Sequence, residues 1–125
     1  MRSKIQLIST YDGDTVLMTA LKYNTSVEII QHLCATFKDD IDINKHNKKR
    51  NTALMLAIQC NTNDTSVEII QYLCDTFKGT LYINKQNYDC NTALMLAVLQ
   101  NTNEQVIHYL CDTFKDTINI NIQIS

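Results

Sequence analysis

The sequence predicts an all-α repeat solenoid, and three observations lead to that prediction. A seven-residue segment, Asn-Thr-Ala-Leu-Met-Leu-Ala, occurs at 51–57 and again at 91–97. A weaker copy opens at Thr15, so the threonines at 15, 52 and 92 are spaced 37 and 40 residues apart. Each copy is followed by a near-duplicate of the segment Val-Glu-Ile-Ile-Gln-Tyr-Leu-Cys at 67–74. Repeats of this length are typical of solenoids, which stack small units and expose one long face.

Composition indicates one domain and excludes several classes of protein. The 125 residues are 45% hydrophobic and 19% charged, which is enough for three stacked units that share a core. We expect a single domain over 1–125, with repeats at about 11–46, 47–86 and 87–125. A formal net charge of -2 gives no general attraction to nucleic acid or anionic lipid. The chain contains neither an apolar run long enough for a membrane helix nor the apolar stretch of a signal peptide.

Two helices are predicted in each unit. From Thr52, apolar residues fall at Leu54, Ala57 and Ile58, the spacing of a short helix with one buried stripe, and the polar stretch 61–64 ends it. The next segment is apolar over a wide arc, which includes Val67, Ile69, Ile70, Leu73, Cys74 and Phe77. A helix of this kind must be covered on two sides, as it would be between neighbouring units.

A capping box marks the start of each second helix. A side-chain oxygen and a residue three positions later would each satisfy a free amide there. The pairs are Thr25 with Glu28, Thr65 with Glu68, and Thr102 with Gln105.

An extended segment follows each second helix. Leu81 and Ile83 alternate with polar residues, as in a strand, and 41–44 and 118–121 stand at the same phase. Each segment leads into the next first helix, so the unit alternates extended fingers with pairs of helices.

The motifs that carry this order resemble the ankyrin repeat. That family has Thr-Pro-Leu-His at the start of its first helix and Val-Asn before its hairpin. The matching residues are Thr-Val-Leu-Met at 15–18, Thr-Ala-Leu-Met at 52–55 and 92–95, and Ile-Asn at 43–44, 83–84 and 120–121. The resemblance covers the chain from Tyr11 to Asn121, and it implies stacked helix-turn-helix units with β-hairpin fingers.

The chain departs from the family pattern at several points. The proline and histidine are absent, which removes a pre-set helix start and a side-chain hydrogen bond. The hairpin glycine remains only as Gly13 and is replaced by Arg50 and Cys90, where a turn that needs positive φ would be strained. Extra residues at the end of the second helix predict a helix about one turn longer, and three more are inserted at about 61–64 in the middle unit.

The five cysteines are interpreted as reduced thiols. Cys34, Cys74 and Cys111 occupy the same position in each copy, as a small buried hydrophobe would. Cys60 and Cys90 have no counterpart and no CxxC spacing. Free thiols favour a cytoplasmic location.

No pattern in the sequence predicts catalysis, a metal site or a cofactor. His32, His46 and His108 are not phased with a carboxylate or nucleophile, and we interpret them as partly exposed polar residues. With two glycines, the chain has no glycine-rich phosphate loop.

The resemblance implies a non-catalytic module that binds another protein through its fingers and the exposed face of its first helices. The candidate partner-binding residues are the positions that vary between copies. In the fingers these are Tyr11, Asp12, Asp14, His46, Lys48, Lys49, Asn51, Gln86, Tyr88, Asp89 and Asn91. On the first helices they are Lys22, Tyr23, Gln59, Cys60, Leu99 and Gln100. Tyr11, Tyr23 and Tyr88 have the most weight, because tyrosine is enriched at interface hot spots.

Three further expectations concern charge, ends and alternatives. The basic run 45–50 would meet an acidic partner or form a solvated tip, and it weakly resembles a nuclear localisation signal. The apolar tail with Ile118, Ile120, Ile122 and Ile124 has no following helix, which predicts a fragment of a longer array or self-association through the ends. The alternative function is a structural or regulatory spacer within a larger enzyme or channel, and the alternative fold is a HEAT-type helical hairpin array.

Overall fold

A computed structural model describes residues 12–23, 26–60, 65–100 and 104–123. Six helices in these ranges form three antiparallel pairs: α1 (Val16–Lys22) with α2 (Val27–Phe37), α3 (Ala53–Cys60) with α4 (Thr65–Phe77), and α5 (Ala93–Gln100) with α6 (Glu104–Thr113). The predicted break at 61–64, with its insertion, lies outside the described residues.

The pairs stack by translation, as the repeated sequence predicts. The first helix of each unit packs on the first helix of the next, α1 on α3 and α3 on α5. The second helices do the same, α2 on α4 and α4 on α6. The core is therefore a continuous apolar seam between the units. The middle unit is covered on both sides, which agrees with the wide apolar arc of its second helix.

The first helix of every unit begins with the same pair of interactions. The Thr52 hydroxyl accepts a hydrogen bond from the Met55 amide at 3.4 Å, and the Thr52 amide donates to the Met55 sulfur at 3.4 Å. Thr15 with Met18 and Thr92 with Met95 repeat both contacts. The loss of the family histidine therefore does not leave the threonine amide free, because a thioether, a weaker acceptor, takes its place.

The predicted starts of the second helices need correction. The N-cap of α2 is Ser26, whose hydroxyl accepts from the Ile29 amide, and not Thr25, which is outside the described residues. Helix α4 begins at Thr65 itself, and Thr102 also lies outside the described residues.

The extra residues after the second helices form a turn. Lys38 still has helical angles, φ -50° and ψ -43°, but α2 ends at Phe37. The amides of Asp40 and Ile41 both donate to the Phe37 carbonyl. Helices α2 and α4 end at their phenylalanine and α6 ends at Thr113, so the residues after these ends form a turn in place of the predicted further helix.

The extended segments are finger loops. Among the described residues, the fingers contain one β-bridge, an isolated antiparallel bridge between His46 and Thr52. The tail at 118–123 likewise contains a turn at 120–121 and no strand. In the segment at 81–83, apolar and polar residues alternate because Leu81 and Ile83 are buried against the helices.

Candidate protein-binding surface

An asparagine holds each of the last two fingers closed. The Asn47 Oδ1 atom accepts hydrogen bonds from the amides of Lys49 and Asn51, both at 3.0 Å, and the Asn47 amide donates to the Asn51 carbonyl. Asn87 makes the equivalent bonds with Asp89 and Asn91. The tips at 48–50 and 88–90 are thus fixed in the same conformation.

The tip conformation requires a left-handed residue at its third position. Gly13, Arg50 and Cys90 have φ values of 71°, 61° and 66°. The sequence prediction that Arg50 and Cys90 occupy strained positions is confirmed, because only glycine reaches this region without a steric penalty.

Backbone hydrogen bonds hold the fingers side by side. The Lys48 amide donates to the Asp12 carbonyl at 2.9 Å, and the Tyr88 amide donates to the Lys49 carbonyl at 3.0 Å. Below the tips, Asn47 Nδ2 donates to Asp14 Oδ1 and Asn87 Nδ2 donates to Asn51 Oδ1. Side chains of successive tips therefore form one continuous row, which we call the tip row.

The tip row has a basic and aromatic centre. The Arg50 guanidinium lies over the Tyr88 ring, 5.4 Å from its centroid, a distance that allows a cation–π interaction. Lys48, Lys49 and Asp89 are exposed beside it. Arg50 was absent from the sequence-predicted binding residues, although the basic run 45–50 includes it.

The structure brings together three predicted binding residues at the first finger and pairs them with one another. Lys22, in the last turn of α1, lies 2.7 Å from an Asp12 oxygen and 2.8 Å from an Asp14 oxygen. Burial alone would lower the pKa of Lys22, but its hydrogen bonds to the two carboxylates outweigh this and raise the pKa. The hydrogen bond from Lys22 lowers the pKa of Asp12. This triad connects the end of a first helix to its finger.

Several other predicted residues lie within the scaffold. The side chain of Asp14 is fully buried, and Asn51 is buried in the asparagine network, so both have a structural role in place of an exposed binding role. Gln86 donates through Nε2 to the Cys90 carbonyl, and Asn91 is partly buried. Tyr11 lies outside the described residues.

The remaining predicted residues are accessible. His46 is exposed in the middle finger, while Tyr23, Leu99 and Gln100 are exposed at or just after the ends of α1 and α5. Gln59 and Cys60 are partly buried at the end of α3. Because the Lys22 triad lies at the end of α1, these helix ends stand beside the fingers.

The described residues offer little for other kinds of chemistry. No group of three or more ligand-type side chains lies close enough together to hold a metal ion within those ranges. No helix in the same ranges has the length and apolar character to cross a membrane. All five cysteines are free; Cys34 and Cys74 are buried in the seam as the repeat pattern predicts, whereas Cys111 is only partly buried.

Comparison with known proteins supports the fold. A family model described as ankyrin repeats, in three copies, matches residues 2–79. No curated protein matches the chain. Ankyrin repeats generally mediate protein–protein interactions and are typically non-catalytic. The third unit lies beyond the match, but it repeats the threonine–methionine helix start and the stacked packing of the other two. The match covers more than half of the sequence, and the chain therefore belongs to the ankyrin repeat family.

Proposed function

We propose that the chain binds a partner protein through the tip row and the adjacent ends of its first helices. The observation that carries this proposal is the exposed cluster of Lys48, Lys49, Arg50 and Tyr88 on a hydrogen-bonded scaffold.

Rigidity of the tips supports the proposal. Asn47 and Asn87 fix the backbone of two tips, and bonds between fingers fix their spacing. A partner would therefore meet side chains whose backbone is already ordered, which reduces the entropic cost of binding. Tyr88 adds a large ring with few rotatable bonds, and the ring is already partly oriented by Arg50.

Charge indicates the chemistry of the partner. Lys48, Lys49 and Arg50 are consecutive and exposed, whereas Asp12, the nearest acidic group of the first finger, is already paired with Lys22. The centre of the tip row is therefore positive, and we expect an acidic segment of the partner to lie against it. The free thiols fit a reducing compartment such as the cytoplasm.

The test is affinity capture with a triple variant, Lys48→Ala, Lys49→Ala and Tyr88→Ala. Since these side chains are exposed, the variant should keep the helical circular dichroism of the wild type. Partners retained by the wild type should be lost, and purified partners should bind more weakly in solution by calorimetry.

Tyr82→Ala is the matched control. Tyr82 is 67% exposed and Tyr88 is 69% exposed, but Tyr82 is outside the tip row. Partners that bind the triple variant as strongly as they bind the Tyr82 variant would contradict the proposal.

A further inference from the structure

The last unit leaves uncovered the face that the earlier units bury. Leu21 and Ile58 are each 1% exposed, whereas Val98, at the same position of the third unit, is 56% exposed. Ile43 and Ile83 are buried, but Ile120 is exposed. Val98 and Ile120 border a groove of about 300 Å³ whose lining side chains are all uncharged. We call this side of the third unit the trailing face.

The described residues, which begin at Asp12, leave the opposite face of the first unit uncovered. Val16 is exposed, whereas its counterparts Ala53 and Ala93 are buried. Ile29 and Phe37 are also exposed, although the matching residues of the later units, Ile69, Val106, Phe77 and Phe114, are buried. We call this side of the first unit the leading face. Within the molecule, the trailing side of each unit is covered by the equivalent leading side of the next unit.

Polar groups at the two ends are also complementary. Asn44 Nδ2 donates to the Thr80 carbonyl, and Asn44 Oδ1 accepts from the Tyr82 amide; Asn84 repeats both bonds with Thr117 and Asn119. The third asparagine of this series, Asn121, has no such side-chain partner among the described residues. In the first unit, Asp40 and Asp42 have the positions that Thr80 and Tyr82 have in the second. The Asp40 carbonyl and the Asp42 amide could therefore bond to Asn121, and both residues border the leading face.

A buried acceptor marks the trailing face most specifically. Asp14 Oδ1 and Asn51 Oδ1 each accept a hydrogen bond from an asparagine of the next finger. Asn91 Oδ1, at the same position, is buried and has no hydrogen-bond partner within the described part of the chain. A buried acceptor without a donor is destabilising, which favours a neighbour that supplies one. The donors Asn47 and Asn87 stand five residues before a helix-start threonine, and Thr10 has that position in the first unit.

We propose that the trailing face of one molecule docks on the leading face of a second copy, in the register that already joins successive units. In this arrangement Asn121 bonds to the partner copy at its Asp40–Asp42 segment, and Val98 and Ile120 are covered by the apolar side chains of the leading face. The interface is heterologous, because it joins two different faces. A docked pair still offers one free leading face and one free trailing face, so association continues beyond a dimer.

The proposal is tested by blocking each face separately. Val16→Lys with Ile29→Lys blocks the leading face, and Val98→Lys with Ile120→Lys blocks the trailing face. All four side chains are exposed, so both variants should retain the wild-type helical content. In sedimentation experiments we expect the average mass of the wild type to rise with concentration above that of two chains. Each blocked variant should remain a monomer.

An equimolar mixture of the two blocked variants is the decisive sample. It contains one intact face of each kind, so it should form a complex of exactly two chains and no larger species. Tyr82→Lys, which adds a lysine away from both faces, should associate like the wild type. Asn121→Ala should raise the dissociation constant by about tenfold, because two hydrogen bonds are lost, while Gln123→Ala should leave it unchanged.

Two results would overturn the proposal. A wild-type chain that stays monomeric at every concentration would leave the trailing face to a different occupant, such as a further repeat. The two faces do not pair with each other if the mass of either blocked variant alone rises with concentration. The same conclusion follows if the mixture remains monomeric.

Discussion

Arg50 and Cys90 hold a backbone conformation that suits glycine. Both have positive φ, and the first finger has Gly13 at the same place. A side chain in this region costs about 1 to 2 kcal/mol, and the tip persists because Asn47 and Asn87 bind the surrounding amides. The chain tolerates this strain at two of its three tips.

Replacing Cys90 with glycine should therefore stabilise the protein. The relief of strain exceeds the added backbone entropy of glycine in the unfolded state, so we expect a gain of about 0.5 to 1 kcal/mol in the free energy of unfolding. Urea denaturation measures it. Cys90→Ala keeps the positive φ and should give no gain, so an equal gain from alanine would assign the effect to the thiol.

Individual residues show where sequence reasoning about the binding surface was limited. Asp14 and Asn51 vary in identity between units, which is the signature expected of recognition residues. Their variation instead preserves an acceptor for the asparagine of the next finger. Only the three-dimensional register distinguishes these two causes of variation, because it places the acceptor below the tip.

The helices begin and end where local chemistry permits. The threonine at each first-helix start was visible in the sequence, and the structure confirms it as a cap. The bond from the threonine amide to methionine sulfur was not foreseen, because the family pattern has histidine there. The start of α2 was displaced by a residue, since Thr25 and Ser26 are adjacent and either residue type can cap.

Loss of the Thr52 cap should destabilise the middle helix. Thr52→Val keeps the volume of the side chain but removes the hydroxyl that accepts from Met55, at an expected cost of about 1 to 2 kcal/mol. Met55→Leu removes only the weak sulfur acceptor and should cost less than the valine variant. Thermal or urea denaturation of both would check the order, and a larger loss from the leucine variant would contradict this view of the helix start.

The second helices contain thiols that make stability depend on alkaline pH. Burial raises the pKa of Cys34 to about 11 and that of Cys74 to about 12, from an ordinary value of 9.0. The folded state therefore keeps its protons after the unfolded state has lost them, so stability is constant below about pH 9 and falls above it.

Urea denaturation between about pH 8 and pH 10 would measure this loss. Tyr109 contributes only at the upper end of this window, because its ordinary pKa is 10.0 and is raised in the folded state by burial and by a hydrogen bond to Asp75. A Cys34→Ala and Cys74→Ala double variant should be less stable at neutral pH but show a flatter pH dependence. If the free energy of unfolding falls with pH as steeply in the double variant, groups other than these two thiols cause the loss of stability.

Across the whole molecule, stability comes from contacts between successive units. The seam joins like helices, first to first and second to second. The number of units and their phase followed from the repeated sequence, because each unit has the same apolar pattern. The detailed ends of the array did not, since exposure there depends on which neighbour is present.

The cost of a core truncation should consequently depend on position along the array. Ile69 in α4 is 2% exposed, while Ile29, its counterpart in α2, is 51% exposed. We expect Ile69→Ala to cost about 3 kcal/mol and Ile29→Ala less than about 1 kcal/mol in equilibrium unfolding. Equal costs would mean that the leading face is covered in solution.

The asparagine network also bears on how such a chain could change length. Below the tips of the described fingers, each asparagine side chain donates to an acceptor side chain in the unit before it. A duplicated middle unit would contain both a donor and an acceptor for these bonds, so it could be inserted without changes to its neighbours. A fragment cut at any other phase would separate donor from acceptor, which restricts viable gene rearrangements to whole multiples of the repeat.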